Sequence, residues 1–160
     1  MTGVHSSVTA VPDRSYGLAA LLDLLPHRGC MLMLQRLTVH DARSFTGEAC
    51  WHHDHPFVRA LGSPFVPESL LVEAAAQTTG AGLVATDASP GMPHGRQLGM
   101  LAGVRRCTFM HPVHTGLPVL LRATTRFMSP VLAHGLVEAR QSDTVVASLQ
   151  VLLAMPKAQA

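Results

Sequence analysis

Glu73 is the lone charge in the stretch SLLVEAAAQTTGAGLVAT, from Ser69 to Thr86. The rest of that stretch is small or apolar almost all the way round, the pattern of a helix with no solvent-facing stripe. An ionised carboxylate taken out of water without a partner costs several kcal/mol, and the usual responses are a raised pKa, a hydrogen-bonded partner, or both. Those are the conditions under which a carboxyl group becomes a general acid or base. A second group able to move protons lies upstream, where His52, His53, Asp54 and His55 stand in a row. A histidine there is either ordered by Asp54 and by backbone groups or free to take a proton. Imidazole and carboxylate also bind zinc, but neighbouring side chains on an extended loop point to opposite sides and no second ligand cluster is present. A metal is therefore not expected.

The elements that must carry these groups follow from periodicity and from chain breakers. Residues Met1 to Ser15 read as a loose arm, and Tyr16 to Leu25 carries leucines at helical spacing up to Pro26. Met31 to His40 and Arg43 to Trp51 read as a strand hairpin turning at Asp41 and Ala42. Between Trp51 and Pro67 the prolines, a glycine and the His-Asp run mark a loop, and the buried helix, Glu68 to Thr86, follows. A second loop, Asp87 to Arg96, precedes four strand-like runs: Gln97 to Met110, Pro118 to Met128, Leu132 to Gln141 and Thr144 to Ala154. Short turns favour antiparallel neighbours, so the fold class is α+β, an antiparallel sheet wrapped around one long central helix. The domain is expected to run over residues 16–160.

Composition limits the function classes. At 160 residues with 48% hydrophobic and 14% charged side chains, the chain has the material for one well-buried core. A net charge of +2 without a basic run argues against nucleic acid as a partner. Cys30, Cys50 and Cys107 are odd in number and far apart, which suits reduced thiols in a cytoplasm better than disulfides or a thiolate zinc site. No run approaches the roughly 20 apolar residues of a membrane span. Low charge with a positive mean hydropathy suggests that part of the apolar surface is covered by another subunit.

Three segments in order resemble the hotdog-fold 3-hydroxyacyl-ACP dehydratases of the FabA/FabZ type, from about Leu24 to Ala154. They are LLPHRGCMLMLQRL (Leu24 to Leu37), PFVPESLLVEAAAQTTG (Pro64 to Gly80) and LAGVRRCTFMHPVHTGLPVLLRATT (Leu101 to Thr125). The resemblance implies a single hotdog domain that dimerises with its sheets edge to edge, and it places Glu73 on the catalytic carboxylate and Gln77 on the glutamine one turn later. It also implies no resident cofactor, the substrate being carried on the phosphopantetheine of an acyl carrier protein.

One part of the family pattern is missing. The catalytic histidine of these enzymes lies in a His-Phe-Pro-Gly loop, and counting back from Glu73 without a gap puts Arg59 on the histidine and Gly62 on the glycine, within RALG. Gly62 is the carried-over donor to the thioester oxygen and is grouped with Gln77 as the substrate-binding pair; His55, followed by Pro56 and Phe57, serves as base only if the loop is longer than usual, with His53 and His52 as lesser candidates. The pattern is closer to the divergent ApeP-like branch of aryl-polyene and polyketide pathways, in which two unlike hotdog subunits are expected to pair. The implied function is dehydration of 3-hydroxyacyl thioesters to 2-enoyl thioesters, by a homodimer or by a heterodimer whose other subunit brings the histidine. A hotdog acyl thioesterase and a non-catalytic acyl-binding subunit are the alternatives.

Several further residues have plainer readings. Gln77 is expected to bond the neighbouring loop or the other subunit's helix, and His27 to shape the turn after Pro26. Met31, Met33, Met100 and Met110 suit core or tunnel wall. Arg59 reads as a solvated loop residue, while Arg105, Arg106 and Arg122 suit either an acidic carrier protein or the outer face of a sheet.

Overall fold

The computed structural model describes residues 13–86 and 100–154. The loop read at Asp87 to Arg96, the first dozen residues of the expected arm and the start of the strand read from Gln97 lie outside them. Seven antiparallel strands form one sheet: β1 (Arg14–Tyr16), β2 (Leu34–Val39), β3 (Ser44–Ala49), β4 (Met100–Phe109), β5 (Val119–Ser129), β6 (Leu132–Gln141) and β7 (Thr144–Ala154). Their order across the sheet is β1-β2-β3-β5-β6-β7-β4. A central helix, α3 (Glu68–Ala85), packs against six of the seven strands, as the expected wrapped sheet requires.

Alternation along the strands makes the core. On β5 the side chains of Val119, Leu121 and Ala123 are buried while Leu120, Arg122 and Thr124 face outward. The inward rows meet Leu70, Leu71, Ala74, Ala75, Ala81 and Leu83 of α3. Close approach depends on small residues: a Cβ at Gly82 would overlap the Phe45 ring, and one at Gly47 would overlap the Thr78 hydroxyl. The buried hydroxyls of Thr78 and Thr79 return to the carbonyls of Ala74 and Ala75 at 2.8 Å, so they need no partner from the sheet.

Three boundaries differ from the expectations. Arg14 and Ser15, read as part of the arm, pair with Val39 and Thr38, because β2 would otherwise be an open edge. The first helix, α1, is consequently shorter, Leu18–Leu24. The strand read from Met31 begins only at Leu34: Gly29–Met31 forms a 3-10 turn, and the side chain of Gln77 takes the carbonyl of Met31 and the N–H of Met33. Within the loop between Trp51 and Pro67 the chain forms a short helix, α2 (Pro56–Leu61). Proline suits a first helical position, where its missing N–H is not needed, and Gly62 closes the helix in the left-handed region at φ 58°.

At one end of the sheet β4 is exposed along most of its length. Its first residues are apolar, with Met100 74% exposed and Leu101 and Val104 also open to solvent. Bare edge strands invite pairing, and an apolar one more so. None of the helices among the described residues is long and apolar enough to cross a membrane.

Candidate active site

Glu73 stands in the second turn of α3, with Gln77 one turn later on the same face. Gln77 is buried and fully engaged. Its amide nitrogen donates to the Met31 carbonyl at 2.7 Å and to Glu73 Oε1 at 2.9 Å, while its oxygen accepts from the Met33 N–H at 2.9 Å. The backbone partners of Gln77 thus belong to the segment after α1. The same Glu73 oxygen lies 3.2 Å from His27 Nε2.

Glu73 is not as deeply buried as its helix suggested, since 27% of its side chain is accessible. The residues that α3 turns to the sheet include leucines, alanines, Thr78, Thr79 and Gly82, whereas Glu73 looks into the gap between α3, His27 and the 3-10 turn. Two cavities meet there. The larger, about 450 Å³, is lined mainly by apolar groups, among them Met31, Met33, Phe57, Leu61 and Leu70, with Glu73 its one ionisable side chain. The smaller, about 260 Å³, is lined by His27, Glu73, Gln77, Met100, Leu101 and Leu153 and so reaches the exposed β4 strand, the last in the sheet among the described residues. Met31 and Met33 are wall residues of the larger cavity and Met100 of the smaller, as their type suggested, whereas Met110 is exposed and lines neither.

His55 precedes α2, its Nε2 is 3.1 Å from the Cys30 carbonyl, and its ring lies against Phe57 at 5.7 Å between centroids. It is absent from the lining of both cavities around Glu73. The ring nitrogen facing a carbonyl must carry its proton, so His55 ties α2 to the 3-10 turn through Nε2, and its remaining lone pair, on Nδ1, is buried without a partner and lies outside the walls of both cavities. Gly62 is exposed, and its N–H is spent on the Arg59 carbonyl at 3.1 Å to close α2. It has no donor left for an oxyanion. Donors lie instead at the start of α3, where Pro67 offers no capping side chain: the Leu70 N–H is spent on the Pro67 carbonyl at 3.0 Å, while the N–H groups of Glu68 and Ser69 precede any intrahelical acceptor. Pro67, Ser69 and Leu70 line the larger cavity, which puts the positive end of the helix at its wall.

The remaining candidates lie away from Glu73. His52, His53 and Asp54 are exposed on a turn, and no group of three or more metal-ligating side chains converges among the described residues. Arg59 is exposed on α2, and Arg105, Arg106 and Arg122 are exposed on β4 and β5. Burial pushes the Cys50 and Cys107 thiols up, making them poor nucleophiles.

His27 was the contact that sequence reasoning undervalued. Its one signal was its place in the PHR opening, and a helix-stopping proline offered a sufficient structural reason for that motif. Spatial proximity to Glu73, 46 positions later by subtraction of the residue numbers, leaves no mark on local spacing.

Known proteins agree with this architecture. The FabZ 3-hydroxyacyl-[acyl-carrier-protein] dehydratase of Listeria welshimeri is 27% identical over 136 residues, covering 83% of this chain and 91% of that protein. The dehydratase heterocomplex ApeI:P from Xenorhabdus doucetiae has a chain that superposes with a TM-score of 0.68 at 19% identity, covering 86% of this chain and 91% of that one. The putative thioesterase yhdA from Lactococcus lactis shares the fold with a TM-score of 0.56 at 11% identity, over 76% and 86% of the two chains. A family model described as ApeP dehydratase matches residues 19–159, and the chain belongs to this ApeP-like family of hotdog dehydratases.

Proposed function

We propose that this chain dehydrates 3-hydroxyacyl thioesters carried on an acyl carrier protein, with Glu73 as its carboxylate and a second hotdog subunit as its partner. One observation carries the reading: in a member of the ApeP-like family, Glu73 is the single ionisable group on the wall of a largely apolar cavity of about 450 Å³. The acyl chain lies in that cavity, and the thioester oxygen faces the N–H groups of Glu68 and Ser69 at the start of α3, which suit a developing enolate. A base takes the C2 proton, the C2–C3 double bond forms, and the C3 hydroxyl leaves as water with a proton given by Glu73. Returning the C2 proton to Glu73 resets the site.

The base is assigned to the partner. His55 is on the wall of neither cavity around Glu73, and the smaller of them opens at the apolar β4 edge, where an unlike subunit can dock and bring a histidine. The chain needs no resident cofactor, since phosphopantetheine arrives with the carrier protein. Assaying the chain alone and mixed with candidate hotdog subunits, on 3-hydroxyacyl carrier proteins, tests the reading through mass loss of water. The expected result is an enoyl thioester from the mixture only. A free acid with a free thiol would instead establish the thioesterase reading, and unchanged turnover of the mixture with Glu73→Gln would make the chain a scaffold.

A further inference from the structure

We propose that His27 is a positioning residue for Glu73: His27 and Gln77 together hold carboxyl oxygen Oε1 and leave Oε2 as the oxygen that exchanges protons with substrate. The inference rests on the function proposed above and adds to it a residue within this chain. Both donors that reach Glu73 among the described residues reach the same oxygen, Gln77 at 2.9 Å and His27 Nε2 at 3.2 Å. An oxygen that accepts two N–H groups has no room for a proton of its own, so the acid form of Glu73 carries its hydrogen on Oε2.

The surroundings of His27 are built for this contact. Pro26 ends α1 ahead of it, and Arg28 donates to the carbonyls of Leu22, Leu25 and His27 at 2.6 to 2.9 Å, which ties the PHR turn to the end of the helix. The other ring nitrogen, Nδ1, is buried without a partner. A bare lone pair there is less costly than an unpaired N–H, so the neutral ring carries its hydrogen on Nε2, toward the carboxylate. Gln77 cannot do the work alone, because its oxygen and one of its N–H bonds are committed to Met33 and Met31 and it cannot follow Glu73 if the side chain swings. His27 supplies the second point that fixes the carboxyl group. Its ring lines the smaller cavity and is absent from the lining of the larger, so it acts from behind Glu73 and not on the acyl chain.

The test uses whichever assembly is active and compares His27→Leu, His27→Gln, Glu73→Gln and the double variant Glu73→Gln with His27→Leu. A glutamine at this position can still place an N–H near Oε1. The expected result is a loss of about tenfold or more in kcat for His27→Leu at little change in KM, and recovery to within about threefold in His27→Gln. In the Glu73→Gln background His27→Leu is expected to cost nothing further, because the effect passes through Glu73. Wild-type kcat in His27→Leu, or an equal further loss in the double variant, overturns the inference. A second readout does not depend on turnover: the imidazole nitrogen resonances of His27 should shift in Glu73→Gln. If no assembly releases water, the functional reading falls while this measurement still judges the contact, and unchanged resonances overturn it.

Discussion

Two histidine-bearing segments flank the central helix, and they behave in opposite ways. The segment from Pro26 to Met33 brings His27 to Glu73 and gives up its own backbone groups to Gln77. The segment from His52 to Gly62 winds into α2, spends the Gly62 N–H on its own helix, and turns His55 to the Cys30 carbonyl of the first segment. The difference shows that a histidine's use is decided by what anchors its backbone. Arg28 and Gln77 pin the first segment on both sides of His27, whereas the second is shaped mainly by its own proline and glycine.

The largest effect should come from the shared target of that comparison. Glu73→Gln keeps the size of the side chain and the contact to Gln77 but removes the exchangeable proton, and turnover by the active assembly should fall by about 10² to 10⁴. Initial rates of enoyl thioester formation check this. Gln77→Ala breaks the anchor itself. It leaves the Met31 carbonyl and the Met33 N–H without their partner, and urea unfolding should show a loss of about 3 kcal/mol, with activity reduced as the segment loosens.

A third histidine sharpens the comparison because it faces cations instead of a carboxylate. His134 on β6 is buried, accepts from Arg126 Nε at 3.3 Å, and is held below the ordinary histidine range by burial and then by Arg126, with Arg105 contributing. Its folded state refuses a proton that the unfolded chain accepts. Stability should therefore be unaffected by His134 well above the unfolded value of about 6.5 and be lost as pH falls through it, levelling off below the folded value. Thermal unfolding followed from pH 8 to 5 should show this fall, and His134→Gln should flatten it.

The smallest effect is expected at His55. Removing its hydrogen bond to Cys30 should cost about 1 kcal/mol, and His55→Ala should retain activity within a few-fold. A loss of a hundredfold or more would break the contrast between the two segments and return His55 to the role of base.

Much of the fold was legible. The alternation in the last three strands and the uniformly apolar helix were read to within a residue or two, because burial on one face or on all faces imprints a period on the chain. The differences fell where a distant side chain, an open strand edge or a residue with two readings decided the backbone. Gln77 displaced the start of β2, the open edge of β2 recruited Arg14–Tyr16, and Pro56 opened a helix in a stretch read as loop because the same residue both starts and interrupts helices.

The sequence by itself determined that one carboxylate sits in an apolar helix within a wrapped sheet, and that the family's usual histidine loop is missing. Those features rest on local composition and spacing. Only the tertiary structure decided that Glu73 is partly open between two cavities, that His27 and not His55 touches it, and that Gly62 has no free donor. Such contacts join residues distant in the chain, and their geometry is set by packing and by where the backbone hydrogen bonds are satisfied, neither of which local spacing records.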